Sequence, residues 1–315
     1  MPFSERETVV KSALAALIYY DIFDHPVTIE EAFSFMPTNS VTVDDVRSAV
    51  ADDERLVRRN WKHREMLLLP GKDDSSLVMR DEKERRAHSL WRRADLVARF
   101  IAMFPFVRAL FISGSLSKNA VGRGGDIDWF IITAPGRLWI CKAALTFFRR
   151  IFLLNDTTYF CTNYYISADA LEIPDKNVFV ATEIATAQPM LNAELGKQFQ
   201  SSNLWIKKFL PNVSFRGAER VVRGNVAAAI RSLGELFFIG SIGDYFERKI
   251  HAMHERYFAD RHGDVPKKDF DLMYRARTNM CKIHHQNFQQ RVLGEYARRL
   301  RAHGLERTLE EKTMQ

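Results

Sequence analysis

Phe111–Thr133 reads FISGSLSKNAVGRGGDIDWFIIT, and its interpretation decides the fold. An apolar run, VRALFIS, ends in Gly114-Ser115; ten residues follow, and Asp126-Ile127-Asp128 then opens a second apolar run. On a strand, residues two apart share a face, so this spacing predicts that Asp126 and Asp128 project together while Ile127 points into the core. Two carboxylates side by side repel unless a cation or base is near. Paired in this way, they suit divalent cations that clamp a triphosphate during in-line phosphoryl displacement. Glycine at 114 lets the backbone approach phosphate, and amide groups at a following helix start, with the Ser115 hydroxyl, supply donors. The plainer alternative is a Gly-Ser turn followed by two exposed edge-strand carboxylates. Between the two halves, Lys118 and Arg123 sit among Gly122, Gly124 and Gly125. They read either as triphosphate-binding cations or as a flexible basic loop tip.

Working outward, residues 1–80 show three short helical patterns and a strand pair. Val9, Ala13, Ala16, Leu17 and Tyr20 recur at helical spacing before Pro26. Thr28 and Thr42 stand where N-caps belong, and LVRRNWKHREMLLLPG reads as two strands around a charged turn. That order predicts a winged helix-turn-helix domain. Arg47, Arg58, Arg59, Lys62, His63 and Arg64 are its candidate nucleic-acid contacts. The aspartates of TVDDVRSAVADDE oppose that role, since they repel phosphate. Residues 81–190 alternate helices with strands and predict an α/β (α+β) domain with a mixed sheet. Residues 191–315 read as a helical region, including DFDLMYRARTNMCKIHHQNFQQRVLGEYARRLRAHG, with Gly304 as a C-terminal cap.

The glycine-serine turn, the gap and the Asp-x-Asp strand resemble the signature of the polymerase-β-like nucleotidyltransferase superfamily. DIFDHPVTIEEAF, RALFISGSLSKNA, GDIDWFIIT with GRLW, FCTNYYIS and TEIATAQPM together resemble a bacterial family that joins an N-terminal winged helix to such a core. The resemblance covers about the first 190 residues. It implies that Gly114 and Ser115 hold nucleotide phosphates and that Asp126 and Asp128 hold metal, Mg2+ or Mn2+. The donor would be a nucleoside triphosphate, ATP among them. Active relatives usually carry a third carboxylate on a later strand. Here Asn163 stands in its place: its amide oxygen can coordinate a metal, but it cannot accept a proton. Asp156, at the entrance to that strand, and Glu183, in the following TEIATA segment, are the candidate substitutes, and each reads equally as a surface or capping residue.

Composition sets the outer bounds. The chain has 315 residues, of which 46% are hydrophobic and 27% charged, with 23 phenylalanines, and this predicts large folded cores rather than disorder. A net charge of +7 suits an anionic partner. Cys141, Cys161 and Cys281 form no CxxC pair, so neither a cysteine zinc site nor a disulfide framework is expected. No apolar run reaches the roughly 18–20 residues that span a bilayer. A cytoplasmic protein without a membrane partner is therefore expected. His251 with His254, and adjacent His284 and His285, lack an HExxH arrangement, and no phosphate-loop or GxSxG motif is present. The expected activity is transfer of a nucleoside monophosphate to an acceptor hydroxyl on RNA, a protein side chain or a small molecule such as an aminoglycoside. The alternative is a catalytically degenerate nucleic-acid-binding or regulatory protein.

Overall fold

The computed structural model describes residues 3–39, 41–222, 225–261, 274–283 and 287–305. Helix α1 (Phe3–Asp21) is followed by a two-residue strand β1 (Val27–Thr28), then α2 (Ile29–Phe35) and α3 (Val43–Ala49). Both short helices start on capping boxes: Thr28 pairs reciprocally with Glu31, and Thr42 with Asp45. Strands β2 (Val57–Trp61) and β3 (Arg64–Leu68) form a hairpin, and β1 joins it in the antiparallel order β1-β3-β2. The charged turn expected there falls on Lys62 and His63, at φ 49° and 65°. Residue 80 lies inside the long helix α4 (Asp74–Ile101).

The second sheet is mixed, with both neighbours of its second strand antiparallel and one central pair parallel. Its strands are β4 (Val107–Ser113), β5 (Asp128–Thr133), β6 (Cys161–Ser167), β7 (Gln188–Leu191), β8 (Tyr274–Arg277) and β9 (Met280–Ile283), in spatial order β7-β4-β5-β6-β9-β8. Strands β5 and β6 are parallel and joined through α6 (Leu138–Phe152), as a parallel pair requires. The one-turn helix α5 (Gly114–Ser117) follows β4, and α7 (Val178–Thr186) follows β6. Beyond β7 lie α8 (Ala193–Ser202), a 3-10 turn at Leu204–Lys208, α9 (Asn225–Leu236), α10 (Gly240–Arg261) and, after β9, α11 (Phe288–Ala302).

Strand alternation divides the interior. Phe111, Phe130, Ile132 and Ile166 face one apolar cluster with residues of α1, α2, α3, α7, α8 and α11. Leu110, Ile112, Trp129, Ile131 and Tyr165 face the other, with residues of α4 and α6. Each fully buried large side chain, Trp129 and Phe111 among them, adds about 2–3 kcal/mol. The first cluster ties the N-terminal segment to the rest of the molecule. Tyr296 Oη donates to Ala15 O at 3.2 Å, and Arg299 pairs with Asp21 at 2.6 Å. Arg80, 3% exposed, bonds Glu31 at 2.7 Å and Glu84 at 2.9 Å and also donates to Pro26 O.

One expected helix is corrected. Tyr274–Arg277 and Met280–Ile283 form an antiparallel hairpin that adds β9 to the edge of β6. Ladder bonds and burial of Cys281 decide the conformation there, over the helical propensity of the surrounding sequence. His284 and His285 lie outside the described residues. Gly304, at φ 67°, caps α11 as expected. Among the described residues no single helix is long and apolar enough to cross a membrane. Val226–Leu236 and Gly240–Asp260 pass that test only together, bent by 88°.

Candidate functional site

Strands β4 and β5 bring the two halves of the 111–133 stretch side by side. Ser113 pairs with Asp128 across the antiparallel ladder, so Gly114 leaves β4 against the Asp128 side chain. A Cβ built on Gly114 would stand 2.2 Å from Asp128 Oδ2, and the residue's φ is +66°. Glycine is needed there on both counts. The Ser115 hydroxyl beside it has no protein partner among the described residues. The loop onward is held in shape by Asn119, at φ 53°, whose Oδ1 accepts from the Trp91 indole at 2.8 Å. Arg123 is exposed at the loop tip and lines no part of the cavity described below.

Strand β5 begins at Asp128, and Asp126 lies just ahead of it, where Ile127 N–H bonds Thr158 O at 2.9 Å. Asp126, Asp128 and Cys161 gather one ligand atom each, all within 4.8 Å of one another. Burial, then the charges of Asp126 and Glu183, push Asp128 up to about 7. Two carboxylates so close, with a third nearby, leave surplus negative charge that a divalent cation would relieve, so the donor set fits such an ion. Burial and the neighbouring carboxylates raise the Cys161 thiol well above its ordinary range. Without a bound cation the thiol therefore stays protonated beside Asp126 and Asp128.

Asn163 occupies an irregularity in the parallel ladder. Trp129 pairs with Thr162 and Phe130 with Tyr164, leaving Asn163 as the extra residue. Its amide Nδ2 reaches Asp128 Oδ1 at 3.3 Å and Cys161 Sγ at 2.8 Å. Of the two substitutes considered for a third carboxylate, Asp156 is exposed and caps Thr158 at 2.8 Å in a loop, taking no part in the cluster. Glu183 reaches the site from α7. It accepts from Gly114 N–H at 3.1 Å and from Lys118 Nζ at 2.8 Å, and Lys118 also donates to Gly114 O at 3.0 Å. Lys118 is thus adjacent to the glycine-serine turn with Glu183 as its counter-ion.

A cavity of about 380 Å³ opens beside these groups. Gly114, Ser115, Lys118, Asp128, Asn163 and Glu183 line one end of it. Sequence reading missed Cys161, although it lies two residues from Asn163 on one strand, and it missed His25, which lines the cavity from the N-terminal segment. His251 stacks on Trp139 and His254 meets it tilted, with ring centroids 4.7 and 5.0 Å away, and both belong to packing. The cations named for nucleic-acid contact are engaged with carboxylates. Arg47 meets Glu30, Asp44 and Glu65; Arg58 meets Glu65; Arg64 meets Asp81 and Glu84; Lys62 meets Asp81; and Arg59 lies 3.8 Å from Asp74. His63 is exposed at the hairpin turn. Comparison with protein-family models, with curated proteins and with solved structures gives no match to this chain.

Proposed function

We propose that the protein is a metal-dependent nucleotidyltransferase of the polymerase-β-like type. It moves a nucleoside monophosphate from a nucleoside triphosphate to an acceptor hydroxyl. The observation that supports this most strongly is the contact of Gly114 with Asp128, which sets a glycine-serine turn against a pair of carboxylates with room for nothing larger than hydrogen at position 114. The N-terminal helices and hairpin are read as the winged-helix module that accompanies such a core.

Each residue has a task in this reading. Asp126 and Asp128 would hold Mg2+ or Mn2+, with Asn163 alongside, and the ion would supply charge neutralisation to the triphosphate. The Gly114-Ser115 backbone and the Ser115 hydroxyl hold phosphate oxygens. Lys118 exchanges Glu183 for the incoming anion. The acceptor oxygen attacks the α-phosphorus in line: a new O–P bond forms, the bond to the α–β bridging oxygen breaks, and pyrophosphate leaves with the electron pair. Glu183, the further carboxylate lining the cavity, receives the hydroxyl proton that Asn163 cannot accept.

The test is thermal unfolding of the wild type and of Asp126→Asn/Asp128→Asn with each of the four nucleoside triphosphates, with and without Mg2+. At one hundred times its dissociation constant a ligand adds about 2.7 kcal/mol. One triphosphate is expected to stabilise the wild type only, and only with the metal; no shift with any triphosphate sinks the reading. The second reading, a catalytically degenerate nucleic-acid-binding or regulatory protein, draws on Asn163 standing where a carboxylate would complete the site. The paired cations of the β2–β3 hairpin weigh against its nucleic-acid form.

A further inference from the structure

We infer that the cavity beside Asp128 is the acceptor pocket, and that its acceptor is a small molecule with a flat apolar body and one reactive hydroxyl. The inference rests on the transferase reading and narrows it. Away from the carboxylate end, the walls are mostly aromatic: Tyr20 on α1 and Phe23 just after it, Phe179 on α7, Tyr164 on β6 and Phe288 on α11. Phe288 lies 6.3 Å from Phe23 and 5.9 Å from Phe179, ring centre to ring centre, and Tyr164 lies 5.3 Å from Phe130. Such rings offer faces and edges to a flat guest. A volume of about 380 Å³ falls in the range of small-molecule sites.

The polar groups of the lining say more. His25 is 4% exposed, and its Nδ1 has no hydrogen-bond partner among the described residues. A buried polar atom left unpaired is costly, and a polar group on a bound molecule would satisfy it. Burial pushes the His25 pKa down to about 4, so the ring enters this contact neutral. Lys282, 3% exposed, faces Asp175 at 3.2 Å and donates to Gln289 Oε1 at 2.9 Å. Away from the carboxylates, the aromatic walls offer a polycationic acceptor of the aminoglycoside kind few polar partners. The walls come from α1 and its following loop, α7, α11 and four strands of the large sheet, gathered around a volume of small-molecule size rather than laid out as a track for a polymer. The N-terminal segment then serves as a specificity wall, in keeping with hairpin cations that are already paired.

The acceptor places its hydroxyl at the Asp128 end, where the triphosphate is the co-reactant and pyrophosphate the leaving group. Thermal unfolding of the full chain tests the class of guest with three probes: 2-naphthol, kanamycin and an eight-nucleotide single-stranded RNA. Each is applied to the wild type and to Val180→Trp, which fills the cavity from α7 without touching the phosphate or metal groups. Ile184→Phe is the second variant should the first fail to fold. The naphthol is expected to raise the wild-type Tm by about 2–4 °C and to lose that effect in the filled variant. The variant keeps the magnesium-triphosphate shift. A naphthol shift that survives filling, its absence from the wild type, or a filling-sensitive shift with kanamycin or RNA overturns the inference. A triphosphate shift without a naphthol shift removes the pocket assignment alone. A naphthol shift without any triphosphate shift removes the transferase reading from which the pocket takes its role.

Discussion

At the scale of single residues, Gly114 and Asp128 are one unit. Alanine at 114 meets two penalties, a positive φ and an overlap with Asp128 Oδ2. Gly114→Ala is expected to cost about 2–4 kcal/mol in urea unfolding. In an Asp128→Ala background the overlap with the carboxylate oxygen is gone and the cost falls towards about 1 kcal/mol; equal costs in both backgrounds would show that the contact does not exist. Asp128 also makes stability depend on pH. Its folded pKa is raised from the ordinary 3.8 to about 7, so across that window the folded state holds a proton that the unfolded chain has lost. Its contribution is complete below about pH 4 and disappears as pH rises through about 7. Metal-free Asp128→Asn should therefore gain on the wild type as pH increases from about 4 to about 7, with the gap constant above. Unfolding titrations at a series of pH values measure it, and a gap independent of pH would show that Asp128 ionises normally.

At the scale of elements, what the sequence allowed and what it hid have separate causes. The turn between β4 and β5 was legible because glycine, serine and alternating aspartates leave a local signature. The two N-caps and the β2–β3 hairpin were legible for the same reason, since caps and tight turns are decided within a few residues. Strands β8 and β9 were not, because their conformation depends on pairing with β6, more than a hundred residues away in sequence. The ladder irregularity that turns Asn163 towards Asp128 was hidden likewise, as register is a property of two strands. Glu183 was visible as a carboxylate, but its bonds to Gly114 and Lys118 depend on how α7 packs against β4. The cavity was invisible, because its walls are drawn from segments as distant as Tyr20 and Phe288.

At the scale of the molecule, α1 and α11 share one interior. Leu14 and Leu300 are each 1% exposed in the same apolar cluster, and the rings of Tyr19 and Tyr296 meet edge to face at 5.4 Å. Leu300→Ala should cost about 2–5 kcal/mol. Because the cluster is shared, hydrogen exchange of the α1 amides should quicken along with that of β4 and β5. Unchanged protection of α1 would mean that its packing is independent of α11.

The bond from Tyr296 to Ala15 spans 281 residues, and that distance has a meaning in time. At ordinary elongation rates of about 5–20 residues per second, α1 leaves the ribosome on the order of half a minute before Tyr296 is added. During that interval α2, α3 and β3 are at hand to cover part of α1, while the side that Tyr296 will meet stays wet. Completion of the shared interior is thus a late event in synthesis, and the nascent chain carries an open apolar seam for most of its growth. This is the kind of client that a chaperone at the ribosome exit holds.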